Sequence, residues 1–459
     1  MKKFKKIYSK NYILDNFKLA DVNLKYFNWF KNKEIKKNII NSNFNNVNDL
    51  KKFILKNYLN KKNTFFIKIQ TLNKHHIGNI RIHNINLKKS SAFLVILIGD
   101  KKFWNKGVAQ EVIHQISKYL FKDFRIEKIF LGVDNKNKNA VGAYLKTGFV
   151  FVNKKRNLMV RDYFLSKLCI GSAQFGSHYG IANKTGIVKM NDIRKIKKLA
   201  LSKGVRMIDT AKSYFDGEKR LAKVGIDEFI TLSKLPVTKP DKNREKWVIK
   251  SIKKSLKALK LKSFYAVFVH NTNYLYDKNG YKIYRGLVEA QKKGLVRKIG
   301  ASTYTISEIK TIISKYKKFD IIMLPFNVFD QRPIQTKILE KLDKLKIEIH
   351  SRSTFLQGLL MMNYDNLPTR FNRWIEKFKN FDKLSKKLKL KKYQICLRYV
   401  LSNPYLDKVV VGTNNFKQFK ELVSTRGVLY PNISNLNSSK EINLINPSKW
   451  PNIRKGIKE

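Results

Sequence analysis

The chain has 459 residues, enough for two or three domains of ordinary size, and 96 Lys and Arg residues against 33 Asp and Glu residues give it a formal net charge of +63. Hydrophobic residues make up 43% and aromatic residues 12%, which excludes a chain that is disordered throughout. The lysines are spread along the whole sequence instead of being massed in one arm. We therefore expect a Lys-rich surface that favours anionic ligands, and no nucleic-acid partner.

Composition also argues against a disulfide framework, a metal site and a membrane span. The two cysteines, Cys169 and Cys396, lie far apart, with no CxxC motif and no histidine at ligand spacing. The basic N-terminus is not followed by an apolar segment, and no stretch of 18 or more apolar residues occurs. We therefore expect a cytoplasmic protein with two buried thiols, no metal and no membrane contact.

Residues 1–165 are predicted to form one mixed α+β domain, because apolar residues recur at helical spacing in some segments and in short strand-like runs in others. The predicted strands are Phe65–Gln70, Ile77–His83, Ala92–Ile98, Lys128–Val133 and Phe149–Asn153. The predicted helices are Asp21–Phe30, Val47–Tyr58, Gly107–Phe121 and Asn139–Thr147.

Residues 166–459 change to a regular alternation of strands and helices. The eight predicted strands are Leu168–Gly171, Met207–Thr210, Phe229–Lys234, Tyr265–His270, Lys298–Ser302, Ile321–Phe326, Ile347–Arg352 and Val409–Thr413. Helical patterns such as Asp192–Lys203, Lys246–Lys260 and Tyr281–Lys293 separate them. Eight βα units in about 250 residues predict an α/β fold, a (β/α)8 or TIM barrel.

Two later stretches do not follow the βα repeat. The gap between Phe355 and Asp407 is long enough to hold an extra helical segment. The tail, Leu429–Glu459, is rich in Asn, Pro and Ser, and we expect it to be a weakly structured wrap.

A strand-to-helix turn at residues 98–109, with the sequence IGDKKFWNKGVA, is a candidate pyrophosphate site. Gly107 and Ala109 are small where the backbone would approach a ligand, and successive backbone N–H groups at a helix N-terminus suit a pyrophosphate. Any tight turn of this kind shares these features, so the segment alone leaves a purely structural turn open.

Together with NKNAVGAYLKTGF at residues 137–149, this turn resembles the GNAT acetyltransferase family. The resemblance covers most of residues 8–153, and in character it is similar to ribosomal-protein and amino-sugar N-acetyltransferases. It implies that acetyl-CoA is the cosubstrate. Its pyrophosphate would be held by the backbone amides of Trp104, Asn105, Lys106, Gly107, Val108 and Ala109. The family's usual Arg or Gln at the start of this loop is Trp104 here.

The same resemblance implies roles for two side chains. Asn137 would contact the pantetheine arm, and Tyr144 would lie near the thioester sulfur as the general acid for the departing thiolate. A core aromatic on a helix face is the structural alternative for Tyr144. The acceptor amine needs a base; His83 and Glu111 are candidates, each with a structural role as its alternative.

A second candidate site lies at the C-terminal ends of the barrel strands, where active sites of this fold are found. Asp209, Lys234 and His270 end three successive predicted strands, and Tyr214 follows the first of them. A buried Lys and Asp are costly unless paired. Paired with Asp209, Lys234 would stay charged and lower the pKa of the Tyr214 phenol. Tyr214 could then protonate a carbonyl oxygen while hydride reaches the carbon, with His270 orienting the carbonyl.

These residues fall within segments that resemble the aldo-keto reductase family. The segments, in family order and spacing from Leu168 to about Trp450, are GSAQFGSHYGIAN, MIDTAKSY, LSKL, FVHN, GLVRKIGASTY, LPFNVFDQR, RSTFLQGLL and VVVGTNN. The resemblance implies a catalytic tetrad of Asp209, Tyr214, Lys234 and His270, with NADP or NAD as cofactor. It also implies that Ser302 binds the nicotinamide amide, that Gly412, Thr413 and Asn414 meet the phosphates, and that Gln418 touches the adenosine half. Ordinary loop and helix-cap roles are the alternative for these residues.

Several positions depart from the family pattern. Met323 replaces a Gln for the nicotinamide amide, and Leu422 replaces an adenosine-side Asn. Asn415 stands where relatives carry the Arg that meets a 2′-phosphate, which weakens the case for NADP. Arg352 replaces the stacking aromatic and could meet an anionic substrate; a salt bridge to a barrel carboxylate is its structural alternative.

The two resemblances together predict a bifunctional enzyme, an N-acetyltransferase followed by a carbonyl reductase. Keto-group reduction and amine acetylation are both steps in the synthesis of nucleotide-linked amino sugars for surface glycans, so the predicted substrates are small molecules of that class. One alternative is a protein or peptide N-acetyltransferase fused to an unrelated reductase. Another is a basic, non-catalytic, RNA-associated scaffold.

Overall fold

A computed structural model of the chain describes residues 4–37, 43–59, 61–434 and 438–450. The chain divides into two compact units, Met1–Ser166 and Lys167–Glu459.

The first unit is built on an eight-stranded sheet with the order β1-β2-β3-β4-β5-β6-β8-β7. Its strands are β1 (Ile7–Tyr8), β2 (Tyr12–Asn16), β3 (Phe65–Thr71), β4 (His76–Asn86), β5 (Ser91–Ile98), β6 (Lys128–Gly132), β7 (Phe149–Asn153) and β8 (Leu158–Asp162). Neighbouring strands are antiparallel, except for the parallel pair β5–β6.

Helices cover both faces of this sheet. They are α1 (Leu24–Lys31), α2 (Lys33–Lys36), α3 (Val47–Ile54), α4 (Val108–Phe124), α5 (Lys138–Lys146) and, at the junction with the second unit, α6 (Tyr163–Lys167). A π-helical turn, Leu55–Leu59, and two 3₁₀ turns, Leu19–Asp21 and Lys101–Phe103, complete the set. Leu94 packs in the core cluster of α4, whereas Leu97 packs against the cluster of α1 and α3. Because neighbouring strand residues point to opposite faces, the two clusters lie on opposite sides of the sheet.

The parallel strands β5 and β6 separate along their length. Among the described residues, they pair only over Ser91–Phe93 and Lys128–Phe130. Beyond Phe93, β5 continues to Ile98 beside β4, and β6 continues beside β8. A gap therefore opens between them towards the turn that enters α4.

Three strands of this unit were not predicted: β1, β2 and β8. Strand β1 has two residues and β2 ends in the polar pair Asp15–Asn16, so neither shows a clear alternation. Strand β8 contains Arg161, whose buried guanidinium donates to the Thr147 carbonyl. This interaction between elements cannot be read from a charged residue in the sequence.

The second unit is a closed barrel of eight parallel strands, as predicted. The strands are β9 (Leu168–Gly171), β10 (Met207–Asp209), β11 (Ile230–Lys234), β12 (Phe264–Val269), β13 (Val296–Ser302), β14 (Ile321–Pro325), β15 (Glu348–Arg352) and β16 (Lys408–Val411). The GNAT-like sheet and the TIM barrel are thus the two architectures of the chain.

The barrel helices are α7 (Ala173–Gly176), α8 (Met190–Ser202), α9 (Gly217–Val224), α10 (Arg244–Leu259), α11 (Asn273–Tyr276), α12 (Gly280–Lys292), α13 (Ile306–Lys315), α14 (Arg332–Gln335), α15 (Ile338–Lys344), α16 (Ile375–Leu388), α17 (Lys392–Leu401), α18 (Phe416–Ser424) and α19 (Ile442–Ile445). Short 3₁₀ helices lie at Leu356–Met361, Tyr364–Asn366, Thr369–Trp374 and Pro447–Lys449. Helix α16 is the extra segment expected between Phe355 and Asp407.

The tail is more ordered than predicted over residues 438–450. Helix α19 buries Leu444 and Ile445 completely, and the buried Trp450 packs edge-to-face on Phe371. These apolar anchors are few and widely spaced, so they form no periodic pattern in the sequence. Residues 435–437 and 451–459 of the predicted wrap lie outside the described residues.

The barrel interior is layered. An apolar cluster that includes Cys169, Leu232 and Phe268 fills its middle. At the N-terminal ends of the strands, Lys298 forms an ion pair with Glu348, and the Tyr265 hydroxyl donates to the same carboxylate at 2.8 Å. The ammonium of Lys298 holds the pKa of Glu348 well below its usual value although burial opposes this, so the carboxylate is ionised.

Candidate active sites

A cavity of about 1450 Å³ opens at the C-terminal ends of the barrel strands. It is lined by every barrel residue that the sequence predicted for catalysis or binding: Asp209, Tyr214, Lys234, His270, Ser302, Arg352, Gly412, Thr413, Asn414 and Gln418. Strand ends bring these residues together because the closed parallel sheet places all its carboxyl ends at one rim.

Asp209 and Lys234 form a buried ion pair. The Lys234 Nζ atom donates to both carboxylate oxygens of Asp209, at 2.7 and 2.6 Å, and both side chains are almost fully buried. Burial alone would lower the Lys234 pKa, but the carboxylate outweighs burial and the pKa is raised above 10.5. Lys234 is therefore a fixed cation at neutral pH.

Tyr214 lies against this cation. Its hydroxyl accepts a hydrogen bond of 3.2 Å from Lys234 Nζ, which also lies 5.0 Å from the centre of the ring. Burial raises the pKa of Tyr214 and Lys234 lowers it, and the net pKa is above its usual value of 10.0. Lys234 therefore lowers the pKa of the phenol as the sequence predicted, but burial, which the sequence does not show, has the larger effect.

His270 completes the group. Its ring stands perpendicular to that of Tyr214, with the centroids 6.4 Å apart. Burial, Lys234 and Arg352 together hold the pKa of His270 well below 6.5, so the imidazole is neutral at pH 7. Its Nδ1 atom lies 3.4 Å from the hydroxyl of Ser213, a residue that the sequence analysis did not single out although it directly precedes Tyr214.

The predicted cofactor residues surround the other side of the cavity. Ser302 is 2% exposed at the end of β13 and lines the cavity. Gly412 follows β16, and a Cβ there would collide with the side chain of Gln174. Asn414 N donates to Gln418 Oε1 at 2.8 Å, so Gln418 closes the start of α18 in this conformation.

These features fit a dinucleotide in part. The Ser302 hydroxyl, which lines the cavity, suits the carboxamide of a nicotinamide. Gly412 has no side chain at the turn into α18, which suits the close approach of a phosphate to the backbone. The side-chain oxygen of Asn415 accepts from Gln418 N at 2.9 Å, so it acts as a helix cap. Lys417 is exposed on the same helix.

Arg352 ends β15 and faces the cavity. Its guanidinium donates to the Thr303 carbonyl at 2.8 Å and to the Ser353 hydroxyl at 3.2 Å, and it stacks on the Tyr304 ring at 4.1 Å. In the described ranges no carboxylate lies within salt-bridge distance of Arg352. The alternative prediction, that Arg352 forms a salt bridge with a barrel carboxylate, is therefore wrong.

Sequence reasoning missed several lining residues. Tyr179 and Gln174 come from the segment after β9, Tyr304 follows β13, and Asn446 and Lys449 come from the tail. Gln174 and Tyr179 lie inside the family-like segment GSAQFGSHYGIAN, and Tyr304 lies inside GLVRKIGASTY. These two segments were the available sequence signal for those three residues. The tail has no motif, so its position over the cavity depends on tertiary packing.

In the first unit, the turn into α4 has an irregular backbone. Asn105 and Gly107 both have positive φ angles, of 59° and 76°. Left-handed residues of this kind turn successive N–H groups towards one side, which makes a concave anion site. Trp104 closes the turn, since its indole Nε1 donates to the carbonyl of Ile98 at 2.8 Å.

The two side chains assigned to the pantetheine and the thioester lie at α5. The side-chain oxygen of Asn137 caps that helix by accepting from Ala140 N at 3.1 Å. Tyr144 packs edge-to-face on Phe149 within the α4 core cluster. Burial raises the pKa of Tyr144 to about 12, so the phenol keeps its proton at neutral pH.

The two candidate bases have different surroundings. Glu111 accepts from the Ser9 hydroxyl at 2.6 Å and from the backbone N and side-chain amide of Asn11, so it fastens the β1–β2 hairpin. His83 pairs with Phe93, the last residue of β5 that is joined to β6. Burial and Arg81 lower the pKa of His83, which leaves a neutral imidazole in contact with the Phe93 ring, 5.7 Å away between centroids.

Neither a membrane-spanning helix nor a metal-binding cluster occurs in the described ranges. No helix there combines the length and apolarity needed to cross a membrane. No group of three or more His, Cys, Asp or Glu side chains in those ranges is placed to hold a metal ion.

Comparison with family models assigns both units. Residues 11–150 match the model of the Acetyltransferase (GNAT) domain. Residues 167–431 match the model of the Aldo/keto reductase family, which is more than half of the chain.

A curated relative and two solved structures are similar to the second unit. The relative is 2,5-diketo-D-gluconic acid reductase B of Corynebacterium sp. (strain SHS752001), 31% identical over 121 residues. That match spans 25% of this chain and 42% of the relative, so the chain covers about two fifths of the relative's length. The structures are the holo form of an aldo-keto reductase from Bacillus halodurans and a glycerol dehydrogenase from Gluconobacter oxydans.

The Bacillus halodurans structure is 17% identical with a TM-score of 0.46, and the match covers 56% of this chain and 86% of that one. The Gluconobacter oxydans structure is 20% identical with a TM-score of 0.45, and the match covers 57% and 86%. The family assignment depends on the two models. The chain belongs to the aldo/keto reductase family, with a GNAT acetyltransferase domain fused in front of its reductase barrel.

Proposed function

We propose that the chain is a bifunctional enzyme that reduces a carbonyl group with NAD(P)H in the barrel and transfers an acetyl group from acetyl-CoA to an amine in the first unit. One observation carries the reductase half. Asp209, Lys234 and Tyr214 form a hydrogen-bonded chain that ends in one cavity, with a neutral His270 beside it. This set supplies a proton donor, a fixed cation and an orienting group at the same place.

The reduction divides the work between cofactor and protein. A reduced nicotinamide supplies hydride to the carbonyl carbon. Tyr214 donates its proton to the carbonyl oxygen, and Lys234 stabilises the phenolate that remains. Asp209 keeps Lys234 charged, and the neutral imidazole of His270 holds the carbonyl oxygen towards Tyr214. Asp209 and Lys234 are buried, whereas Tyr214 and His270 are half-buried and line the cavity, so a bound substrate would displace water from the proton transfer.

The cofactor would be held by Ser302 at its nicotinamide end and by Gly412, Thr413 and Asn414 at its phosphates. Gln418 would meet the adenosine half through its amide nitrogen, because its Oε1 atom accepts from Asn414 N. Asn415 and Leu422 offer no cation for a 2′-phosphate, and Lys417 is the nearby positive charge. This supports a cofactor that is bound without strong preference for the phosphorylated form.

Acetyl transfer would use the gap between β5 and β6. The amides of Trp104 to Ala109 would hold the CoA pyrophosphate, and Asn137 would meet the pantetheine arm. Tyr144 would protonate the departing thiolate, which its pKa of about 12 permits. Of the two candidate bases we favour His83, because its imidazole is neutral and contacts Phe93, the residue after which β5 and β6 separate, whereas Glu111 is held by the hairpin.

For substrates we propose nucleotide-linked amino sugars used in surface glycans. The fusion supports this proposal, since one such sugar can require both a keto reduction and an amine acetylation. The name of the curated relative, a reductase of a diketo sugar acid, agrees with reduction of a sugar-derived keto group.

The test uses the full chain. It should bind acetyl-CoA and a reduced nicotinamide cofactor in calorimetric titrations, and release free thiol from acetyl-CoA with UDP-linked sugars that carry a free amine. It should also oxidise the cofactor with glyceraldehyde. Thiol release with peptide amines but not with the sugars would overturn the substrate proposal. Tyr214→Phe should reduce cofactor oxidation by about 100-fold or more and leave cofactor binding unchanged; retained oxidation would remove Tyr214 as the acid.

A further inference from the structure

We propose that the carbonyl substrate of the barrel carries a carboxylate or a phosphate close to its reacting group, and that Arg352 binds this anion. The proposal rests on the proposed reductase function and adds the class of substrate to it.

The first step is the rigidity of the guanidinium. Arg352 is held by two hydrogen bonds, to the Thr303 carbonyl and the Ser353 hydroxyl, and by stacking on the Tyr304 ring. Arg presents five N–H donors in a planar fork that matches the oxygens of a carboxylate or phosphate. Only two protein acceptors bind these five N–H groups in the described structure. Because Arg352 lines the cavity, the remaining N–H groups can meet a ligand there.

The second step is charge balance. The acidic side chains around Arg352 are already engaged elsewhere in the described structure. Asp330, which is fully buried, pairs with Arg332 at 2.7 Å. Glu308 accepts from the Thr272 hydroxyl and from Tyr304 N. The charge of Arg352 also acts to lower the pKa of Asp330 against the effect of burial, so this one carboxylate faces two guanidiniums and a net positive charge remains. An anionic ligand beside Arg352 would balance that charge.

The third step is position relative to the reacting group. Arg352 shares the cavity with Tyr214 and His270, and its charge contributes to the lowered pKa of His270. The lysines on the outer rim, Lys184, Lys391 and Lys449, are exposed and therefore screened by salt. Arg352 is thus the unbalanced fixed charge that the carbonyl would meet.

The guanidinium is also directed away from the proposed phosphate site of the cofactor. Its partners Thr303 and Tyr304 follow β13, whereas Gly412 follows β16, on the other side of β15 in the barrel order. This direction favours the substrate over the cofactor as the source of the anion.

Two matched pairs of aldehydes test the proposal with the full chain and reduced cofactor. Succinic semialdehyde is compared with butanal, and glyceraldehyde 3-phosphate with glyceraldehyde. Wild type should prefer at least one charged member in kcat/KM by about tenfold or more, the value of a charge-assisted hydrogen bond. Arg352→Gln should reduce that preference to near unity, and Arg352→Lys should keep part of it.

Arg297→Gln is the matched control, since Arg297 is exposed near the opposite end of β13 and should change neither preference. No charge preference in wild type, or a preference unchanged in Arg352→Gln, would overturn the anion site. A tenfold weaker cofactor affinity in Arg352→Gln with the preference intact would assign Arg352 to the cofactor and overturn it too. If Arg352→Gln does not fold, the wild-type ratios and Arg352→Lys decide.

Failure of the reductase function gives a different result. In that case neither the charged nor the neutral aldehydes are reduced, and the Tyr214→Phe variant is indistinguishable from wild type. Reduction of the neutral aldehydes alone would keep the reductase and reject the anion site.

Discussion

Two opposing effects act on the pKa of Tyr214, and their balance decides whether its hydroxyl carries a proton at neutral pH. Burial favours the neutral phenol, and the Lys234 ammonium at 3.2 Å favours the phenolate. Since burial prevails, the hydroxyl holds its proton over the whole neutral range. A donor of this kind is ready for reduction, whereas oxidation would first require its proton to be removed. The sequence predicted the partners correctly but not this balance, because the depth of burial depends on loops that carry no motif.

Asp209→Asn tests the ion pair. The change leaves a buried ammonium without its carboxylate, so the free energy of unfolding should fall by about 3–5 kcal/mol, measured by urea denaturation at pH 7. Because the Lys234 pKa is raised above 10.5, the pair should stabilise the fold fully at lower pH and lose its contribution only as pH rises through that higher pKa. Adding Lys234→Met should restore part of the loss; a double variant less stable than Asp209→Asn alone would contradict the pairing.

Ser213→Ala tests what fixes the orientation of His270. A neutral imidazole has one donor nitrogen and one acceptor nitrogen. We assign the Ser213 hydroxyl as the donor in its 3.4 Å contact with Nδ1, which places the hydrogen of the neutral ring on Nε2. The ¹⁵N shifts of the two ring nitrogens should become more alike in Ser213→Ala and be restored in Ser213→Thr. His270 should show no titration between pH 6.5 and 8 in any variant; a protonation step there would contradict its lowered pKa.

At the scale of elements, the strands with the clearest local pattern of apolar residues were predicted best from the sequence. All eight barrel strands were predicted within two residues of their bounds, because each is a short apolar run between turns. The strand ends therefore placed Asp209, Lys234 and His270 correctly at one rim. Strands β1, β2 and β8 were missed, since pairing with neighbours, and not hydrophobic alternation, makes them strands. The tail was underestimated for the same reason: Trp450 contacts Phe371, far away in sequence.

Gly107→Ala tests the turn that enters α4. Gly107 has a φ of 76°, so a side chain there should cost about 1 kcal/mol and tilt the backbone amides that would meet the pyrophosphate. Acetyl-CoA binding, measured by calorimetry, should weaken by about tenfold, the effect of losing one charge-assisted hydrogen bond. Gly142→Ala is the matched control, because Gly142 lies inside α5 with open space around it and the change should stabilise the helix. Equal affinity in the two variants would contradict the role of the turn.

At the scale of the whole molecule, each candidate site is complete within one unit. Every residue assigned to carbonyl reduction lies in Lys167–Glu459, and every residue assigned to acetyl transfer lies in Met1–Ser166. Neither site therefore borrows a reacting group from the other. The two family models, which match separate stretches of the chain, agree with this division.

Crossed variants follow from that division. Tyr144→Phe should reduce thiol release from acetyl-CoA by about 100-fold or more and leave carbonyl reduction within twofold of wild type. Tyr214→Phe should do the reverse. Both activities are measured on the same preparations of the full chain. If either variant lowered both activities by similar factors with an unchanged melting temperature, the two sites would not be separate.

The interior of the barrel also keeps two sets of charges apart. Asp209 and Lys234 lie at one end and Lys298 and Glu348 at the other, with Cys169, Leu232 and Phe268 in the cluster between them. The hydrocarbon side chains of this cluster carry no exchangeable protons, so they offer no path for proton transfer along the axis. Such an interior screens charge only weakly, and the charges of Asp209 and Lys234 already act on the buried Cys169 thiol. A neutral substitution at the floor should therefore weaken the fold and leave the proton donor unchanged, whereas removal of one floor charge should also shift the pKa of groups at the rim.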